Sequence, residues 1–183
     1  MIFTRRWFLF SIGSAAGLGF IPSGHASEGN ELLKQKFDYL SRHGNSNCSN
    51  KFMRSIAKMP AEARLQGSCC APMDFHRYSE QIQALKTYSA NLEIPADPYD
   101  VPAALAAKLM SYYDLSLSRN EQVAYDFAMA NSDEKGPCCC KCWRWYVYGG
   151  LGKLLIREKG FNGPRLVDVW NLSSGCGGGA EHH

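Results

Sequence analysis

Four cysteines stand within five residues, Cys138, Cys139, Cys140 and Cys142, and another two, Cys69 and Cys70, are adjacent. This crowding constrains the fold more than any other feature. Crowded thiols argue against a purely structural set of bridges, because bridges that usefully restrict the unfolded chain join distant positions singly, although a bridge from the 69–70 pair to the 138–142 cluster stays open. The chain must therefore fold so that these two groups meet each other, a metal, or partners elsewhere. Cys48 and Cys176 complete a set of eight. A chain of 183 residues, 45% apolar and 20% charged, is long enough to bury a core without covalent staples. A purely structural framework of disulfides is thus not required by size.

The N-terminus is an address. Arg5 and Arg6 form a short positive region, Phe8 to Ile21 is apolar, and Gly24-His25-Ala26 supplies small residues where a signal peptidase reads. This three-part pattern is that of a cleavable secretory signal over residues 1–26, and its apolar run is too short for a comfortable membrane span. Thr4-Arg5-Arg6-Trp7-Phe8-Leu9 resembles the twin-arginine export motif, with Phe10 where a lysine is frequent. A general secretory signal that carries two arginines is the alternative. The resemblance implies a periplasmic or secreted bacterial protein, exported folded and often after cofactor insertion. Removing residues 1–26 takes two of the 20 basic residues and none of the 17 acidic ones, leaving a nearly neutral chain. That balance is too even for a protein whose main business is gripping nucleic acid, which needs a concentrated basic face.

Beyond the signal the periodicity is helical, and the expected fold is all-α: a single domain of about six to seven helices over residues 27–172, with cysteines at the joints. Leu33, Phe37 and Leu40 form one stripe, and Phe52, Ile56 and Met59 another. A short helix is expected over 61–66, closed by Gly67. Asp74 caps a helix with Phe75, Tyr78, Ile82 and Leu85 on its apolar face. Pro102 opens a helix with Leu105, Leu109 and Tyr112 inside, and the capping box Ser118–Glu121 starts another with Val123, Phe127 and Ala130 buried. A long helix is expected from Pro137 to Lys159, containing the cysteine cluster and ended by Gly160. Gly149, Gly150 and Gly152 within it imply a break or close approach of a neighbour, since each costs about 1 kcal/mol relative to alanine. A short helix over 164–170 and a flexible glycine-rich tail, 173–183 with Cys176, complete the chain.

The chemistry centres on thiols. On a helix Cys138 and Cys142 share a face, as do Cys139 and Cys142, while Cys140 points away. A helix N-terminus and the neighbouring Lys141 and Arg144 favour the thiolate, which binds metals and attacks disulfides. Converging thiolates suit copper(I) first and zinc second. The expected metal ligands are Cys138, Cys139, Cys140 and Cys142, with Cys69, Cys70 or Cys176 brought in by the fold. Met73 and His76 lie at compatible spacing after Cys70, but a methionine there is more often core filler and a histidine on a first helical turn more often exposed. His182 and His183 are terminal. The aromatics Trp143, Trp145, Tyr146 and Tyr148 read first as a core face.

Sharper motifs are absent. Trp143 follows Cys139-x-x-Cys142 where a c-type haem site needs histidine, and ferredoxin, zinc-ribbon, P-loop, Rossmann and hydrolase-elbow spacings are missing. No positioned acid–base pair is evident, so the reading is binding, delivery, sequestration or sensing of a metal ion rather than turnover. Another exported protein is a further partner for such a role. Two alternatives stay open: a disulfide-stabilised accessory or interaction protein without metal, and a thiol–disulfide oxidoreductase built on Cys139-Cys140-Lys141-Cys142.

The stretch from Ala124 to Asn131, followed by Pro137-Cys138-Cys139-Cys140-Lys141-Cys142, resembles secreted bacterial proteins of the PCYCGC-motif family. Those carry a similar helix ending in Ala-Asn and then Pro-Cys-x-Cys-x-Cys, on which Cys138, Cys140 and Cys142 fall. The resemblance implies an exported cysteine-rich protein with metal binding suggested by the motif. Trp143-Arg144-Trp145 stands where that family continues with glycine, histidine and further cysteines.

Overall fold

The computed structural model describes residues 24–177 except 89 and 92. The signal segment therefore lies outside the described residues except for Gly24 to Ala26, and so do His182 and His183. Seven α-helices run in the order α1 (Gly24–His43), α2 (Asn50–Ser55), α3 (Phe75–Leu85), α4 (Ala103–Ser111), α5 (Arg119–Asn131), α6 (Trp143–Lys159) and α7 (Gly163–Leu172). A two-stranded antiparallel sheet joins β1 (Arg64–Gln66) to β2 (Asp100–Pro102), with Leu65 opposite Val101. The fold is thus predominantly helical. No helix among the described residues is long and apolar enough to cross a membrane.

Helix α6 is the axis of the molecule. Its inward residues do not make a stripe: Trp143, Arg144, Val147, Tyr148, Leu151, Leu154, Leu155 and Ile156 are all buried, as a helix surrounded by other elements requires. The glycines let neighbours approach without a break. A Cβ on Gly150 would collide with the Leu109 carbonyl of α4, so α4 lies directly against the α6 backbone. Gly160 ends the helix in the left-handed conformation, φ 65°, as expected for a C-terminal glycine. Leu166, Val169 and Trp170 of α7, Tyr125 and Ala128 of α5, and Leu65 and Val101 of the sheet complete this core.

A smaller core holds α1 to the body. Leu40 packs with Tyr78 and Tyr99, flanked by Leu33, Phe37, Met73 and Phe75, so the expected stripes of α1 and α3 face each other. Beside it Lys36 pairs with Asp97 at 2.8 Å and Asp100 at 3.0 Å, and Arg64 also binds Asp100. The Tyr78 hydroxyl donates to Asp97 at 2.9 Å.

Several local expectations need correction. Residues 61–66 are not a helix but a turn leading into β1, because Leu65 is pinned opposite Val101. The capping box of α5 is present, with Ser118 N donating to Glu121 at 2.7 Å. Yet Val123 is 66% and Phe127 44% exposed, and Tyr125 and Ala128 face inward instead. The helix expected from Pro137 begins only at Trp143. The segment 173–177, read as the start of a flexible tail, is buried throughout, and Cys176 is 2% exposed.

Candidate metal centre

Four connections deliver cysteines to one end of α6: the α1–α2 loop (Cys48), the segment after β1 (Cys69, Cys70), the α5–α6 loop (Cys138, Cys139, Cys140, Cys142) and the segment after α7 (Cys176). Each is fastened by its own hydrogen bonds. The α1–α2 loop is zipped to β1, with Asn45 N and Ser46 N both donating to the Gln66 carbonyl at 3.0 Å and Gln66 N donating to Asn45 Oδ1 at 2.9 Å. Trp143 Nε1 donates to Ser46 Oγ at 2.9 Å, tying the Cys48 loop to the first residue of α6. Gln81 of α3 donates to the carbonyls of Leu172 and Ser174 at 3.0 and 2.7 Å. Ala71 N donates to the Cys176 carbonyl at 2.8 Å, and at Gly177, φ 79°, a Cβ would collide with the Ala71 carbonyl. The last cysteine is thereby pressed against the pair at 69–70.

The α5–α6 loop is not helical because its own hydrogen bonds prevent it. Ser132 Oγ accepts from Gly136 N at 2.8 Å and donates back to the Gly136 carbonyl at 3.0 Å. Lys135 takes a positive φ of 51° and Gly136 one of 153°. Cys142 is then the extended residue capping α6, and its N–H donates to the Cys140 carbonyl at 2.8 Å. This turns Cys140 inward, where a helix would have pointed it away. Cys138 and Cys142 do meet, at 3.9 Å, whereas Cys139 and Cys142 share no group and Cys139 faces Cys176 at 3.0 Å.

All eight cysteines are free thiols. Cys48 Sγ lies 3.4 Å from Cys70 and 3.7 Å from Cys140, Cys70 lies 3.8 Å from Cys69 and 3.9 Å from Cys140, and Cys138 lies 3.1 Å from Cys176. A disulfide requires about 2.05 Å, while sulfurs about a shared tetrahedral ion with bonds of about 2.3 Å stand about 3.8 Å apart. The sulfurs fall into five groups of three, each within 4.8 Å: Cys48, Cys69, Cys142; Cys48, Cys70, Cys140; Cys69, Cys70, Cys176; Cys138, Cys139, Cys176; and Cys138, Cys140, Cys142. The seven cysteines expected as ligands are thus all brought together. Cys48 was not among them. As a lone cysteine far from either cluster it carries no spacing signal, and only the turn-forming Ser46-Asn47-Cys48-Ser49-Asn50 hints at a joint. Met73 and His76 belong to none of the groups: Met73 packs in the smaller core and His76 lies in solvent, 85% exposed and facing Glu80.

The cage has a floor and a rim. Cys138, Cys142 and Cys176 are buried, while Cys70 and Cys139 are exposed and Cys48, Cys69 and Cys140 lie between. Under the floor is Arg144, 1% exposed. Its guanidinium donates to the carbonyls of Pro98 and Gly67 and stacks 4.4 Å from the Trp143 ring. No carboxylate pairs with it among the described residues, and its Nε has no partner. Burial opposes its charge, and the nearby Tyr148 hydroxyl and the sulfurs of Cys69, Cys176 and Cys138 outweigh that opposition.

The thiols do not titrate alike. Hydrogen bonds from Cys142 and Cys176, aided by Arg144 and opposed by burial, hold Cys138 down at about 3, and the same donors hold Cys69 low. Burial pushes Cys70 and Cys139 up to about 12. Cys142 and Cys176 are raised chiefly by the hydrogen bonds they donate to Cys138 and Cys69, and Cys48 is raised chiefly by burial. The thiolate form is thus favoured on the buried side of the cage, close to Arg144, and disfavoured at its rim.

This donor set fits a soft ion: eight thiols, no carboxylate or histidine in any group, and a cation placed to offset excess negative charge. It fits a dithiol enzyme poorly, since Cys142 is buried and Cys139 is turned from it. No family model matches the chain, and no curated protein or solved structure matches it. The reading of the site rests on its geometry.

Proposed function

We propose that this protein is an exported soft-metal binder that holds copper(I) or zinc in a cage of Cys48, Cys69, Cys70, Cys138, Cys139, Cys140, Cys142 and Cys176. The observation that carries the reading is the convergence of all eight cysteines, from four separate connections, without a bridge between any two. Export is supported by the sequence of residues 1–26, including Arg5-Arg6, and by the resemblance to twin-arginine signals. The metal supplies Lewis-acid charge to the thiolates, and the chain's residues do the rest. Cys138, Cys142 and Cys176 form the closed side, Arg144 offsets charge beneath them, and Cys70 and Cys139 offer an open side through which an ion passes to another thiol-bearing partner. The role is binding, delivery, sequestration or sensing of the ion, a reading supported by a cage whose groups contain thiols alone and whose rim is exposed at Cys70 and Cys139.

The test is metal content by mass spectrometry on protein isolated anaerobically from its native compartment. The reading expects at least about one copper or zinc per chain, lost when Cys138 and Cys142 are changed to serine. Metal-free protein with intact thiols would overturn it.

A further inference from the structure

The five groups of sulfurs share their members in a regular way. Cys48, Cys69, Cys70, Cys138, Cys140, Cys142 and Cys176 each belong to two groups, and Cys139 alone belongs to one. Among the described residues no four sulfurs lie mutually within 4.8 Å. A tetrahedral all-thiolate ion such as structural zinc needs four sulfurs that all face one centre, about 3.8 Å apart. Three sulfurs about a three-coordinate ion with bonds of about 2.3 Å stand about 4.0 Å apart, and this is the grouping the fold prepares. Thiolate also favours copper in its monovalent state. A thiolate sulfur carries spare lone pairs and bridges two such ions readily, which is what membership of two groups provides.

We propose that the cage takes a polynuclear copper(I)–thiolate cluster of about five three-coordinate ions, with seven bridging cysteines and Cys139 as the one terminal ligand. The inference rests on the metal-binding reading above and adds the oxidation state, coordination and nuclearity. Each thiol that becomes a ligand gives its proton to solvent, and no electron changes hands. Eight thiolates around five monovalent ions keep a negative excess, and Arg144, buried with carbonyls and no carboxylate for partners, supplies one opposing charge. The group formed by Cys48, Cys70 and Cys140 lies nearest solvent, so ions enter there by exchange with an external thiolate and reach the buried group of Cys138, Cys140 and Cys142 through the shared Cys140.

The experiment is an anaerobic titration of the reduced full chain with copper(I) supplied as its acetonitrile complex, followed by native mass spectrometry and copper-edge X-ray absorption. The expected result is an endpoint of about five ions per chain, three sulfurs per copper and a metal–metal scattering shell. Cys139→Ser should bind about one ion fewer and Cys70→Ser about two fewer, because they belong to one and two groups respectively; both side chains are exposed, and far-UV circular dichroism checks that each variant folds. Zinc(II) in a parallel titration should stop lower and be displaced by copper(I). An endpoint of one or two ions without a metal–metal shell, or equal losses from the two variants, overturns the cluster and leaves the simpler metal site standing. Binding of neither copper nor zinc overturns both.

Discussion

Two regions bury charge near the sheet, carboxylates in one and a guanidinium in the other, and they solve the problem differently. Around Asp97 and Asp100 every charge meets its opposite: Lys36 reaches both carboxylates, Arg64 and Gln66 bind Asp100, and Tyr78 donates to Asp97. At the thiol cage, Arg144 is more deeply buried yet meets carbonyls, the rings of Trp143 and Tyr99, the Tyr148 hydroxyl and sulfur, and no carboxylate among the described residues. The first network is complete within the chain. The second balances only when its thiols are ionised, and eight thiols crowded together ionise fully only around metal. A self-satisfied ion network is evidence about stability; a buried cation without a carboxylate, set beneath a thiol cage, is evidence about a ligand.

Metal removal should separate the two regions most sharply. A ligand present at about 1,000 times its Kd contributes about 4 kcal/mol to the folded state, and a site joining four connections should lose at least that on chelation. Hydrogen exchange should then rise in residues 44–49, 67–74, 132–142 and 173–177 while the α1–α3 contact stays protected. Equal loosening of both regions would erase the distinction.

Arg144→Met should come next. Removing one partner of a buried charged pair costs about 3–5 kcal/mol, and that cost should appear in the metal-loaded protein and shrink in the metal-free one. Thermal denaturation of both forms reads the difference. If the loss is the same with and without metal, Arg144 serves packing and not the cage.

Asp100→Asn should cost about 1–2 kcal/mol, held down because Lys36 and Arg64 are about two-fifths exposed, and should leave metal stoichiometry untouched. Burial opposes ionisation of this carboxyl, but Arg64, Lys36 and Gln66 outweigh it and lower its pKa. Its contribution is therefore full above the ordinary carboxylate range and is lost as pH falls through the lowered folded value. The gap between wild type and variant, followed by denaturant unfolding, should close on acidification. His76→Ala, at an exposed side chain outside every sulfur group, should change stability by less than about 0.5 kcal/mol and bound metal not at all.

Local chemistry was legible in the sequence wherever a short span determines the outcome. Leu33, Phe37 and Leu40 reveal the inner face of α1, Asp74 and Ser118–Glu121 mark helix starts, and Gly160 marks an end. The seven clustered or tail cysteines point to one site. What was not legible depends on distant partners. Leu65 becomes a strand residue only because Val101 lies opposite. A capping box fixes where α5 begins but not its rotation, which packing against α7 sets; hence Tyr125 stacks edge-on to Trp170 while Val123 faces water. Ser132 and Gly136 keep the cysteine run out of α6, so helical geometry misplaces Cys140. Cys48 joins through Asn45 and Ser46, whose partners on β1 and α6 lie far along the chain.

The central claim is that the eight cysteines are ligands and not bridges. Intact-mass measurement after alkylation tests it directly, on protein isolated anaerobically, first in the native state and then after chelation and unfolding without reductant. The account predicts strong protection from alkylation in the native state and eight modified thiols after metal is stripped. No modified thiols in either state, with a mass eight hydrogens short of the reduced chain, would mean four disulfides and would contradict it.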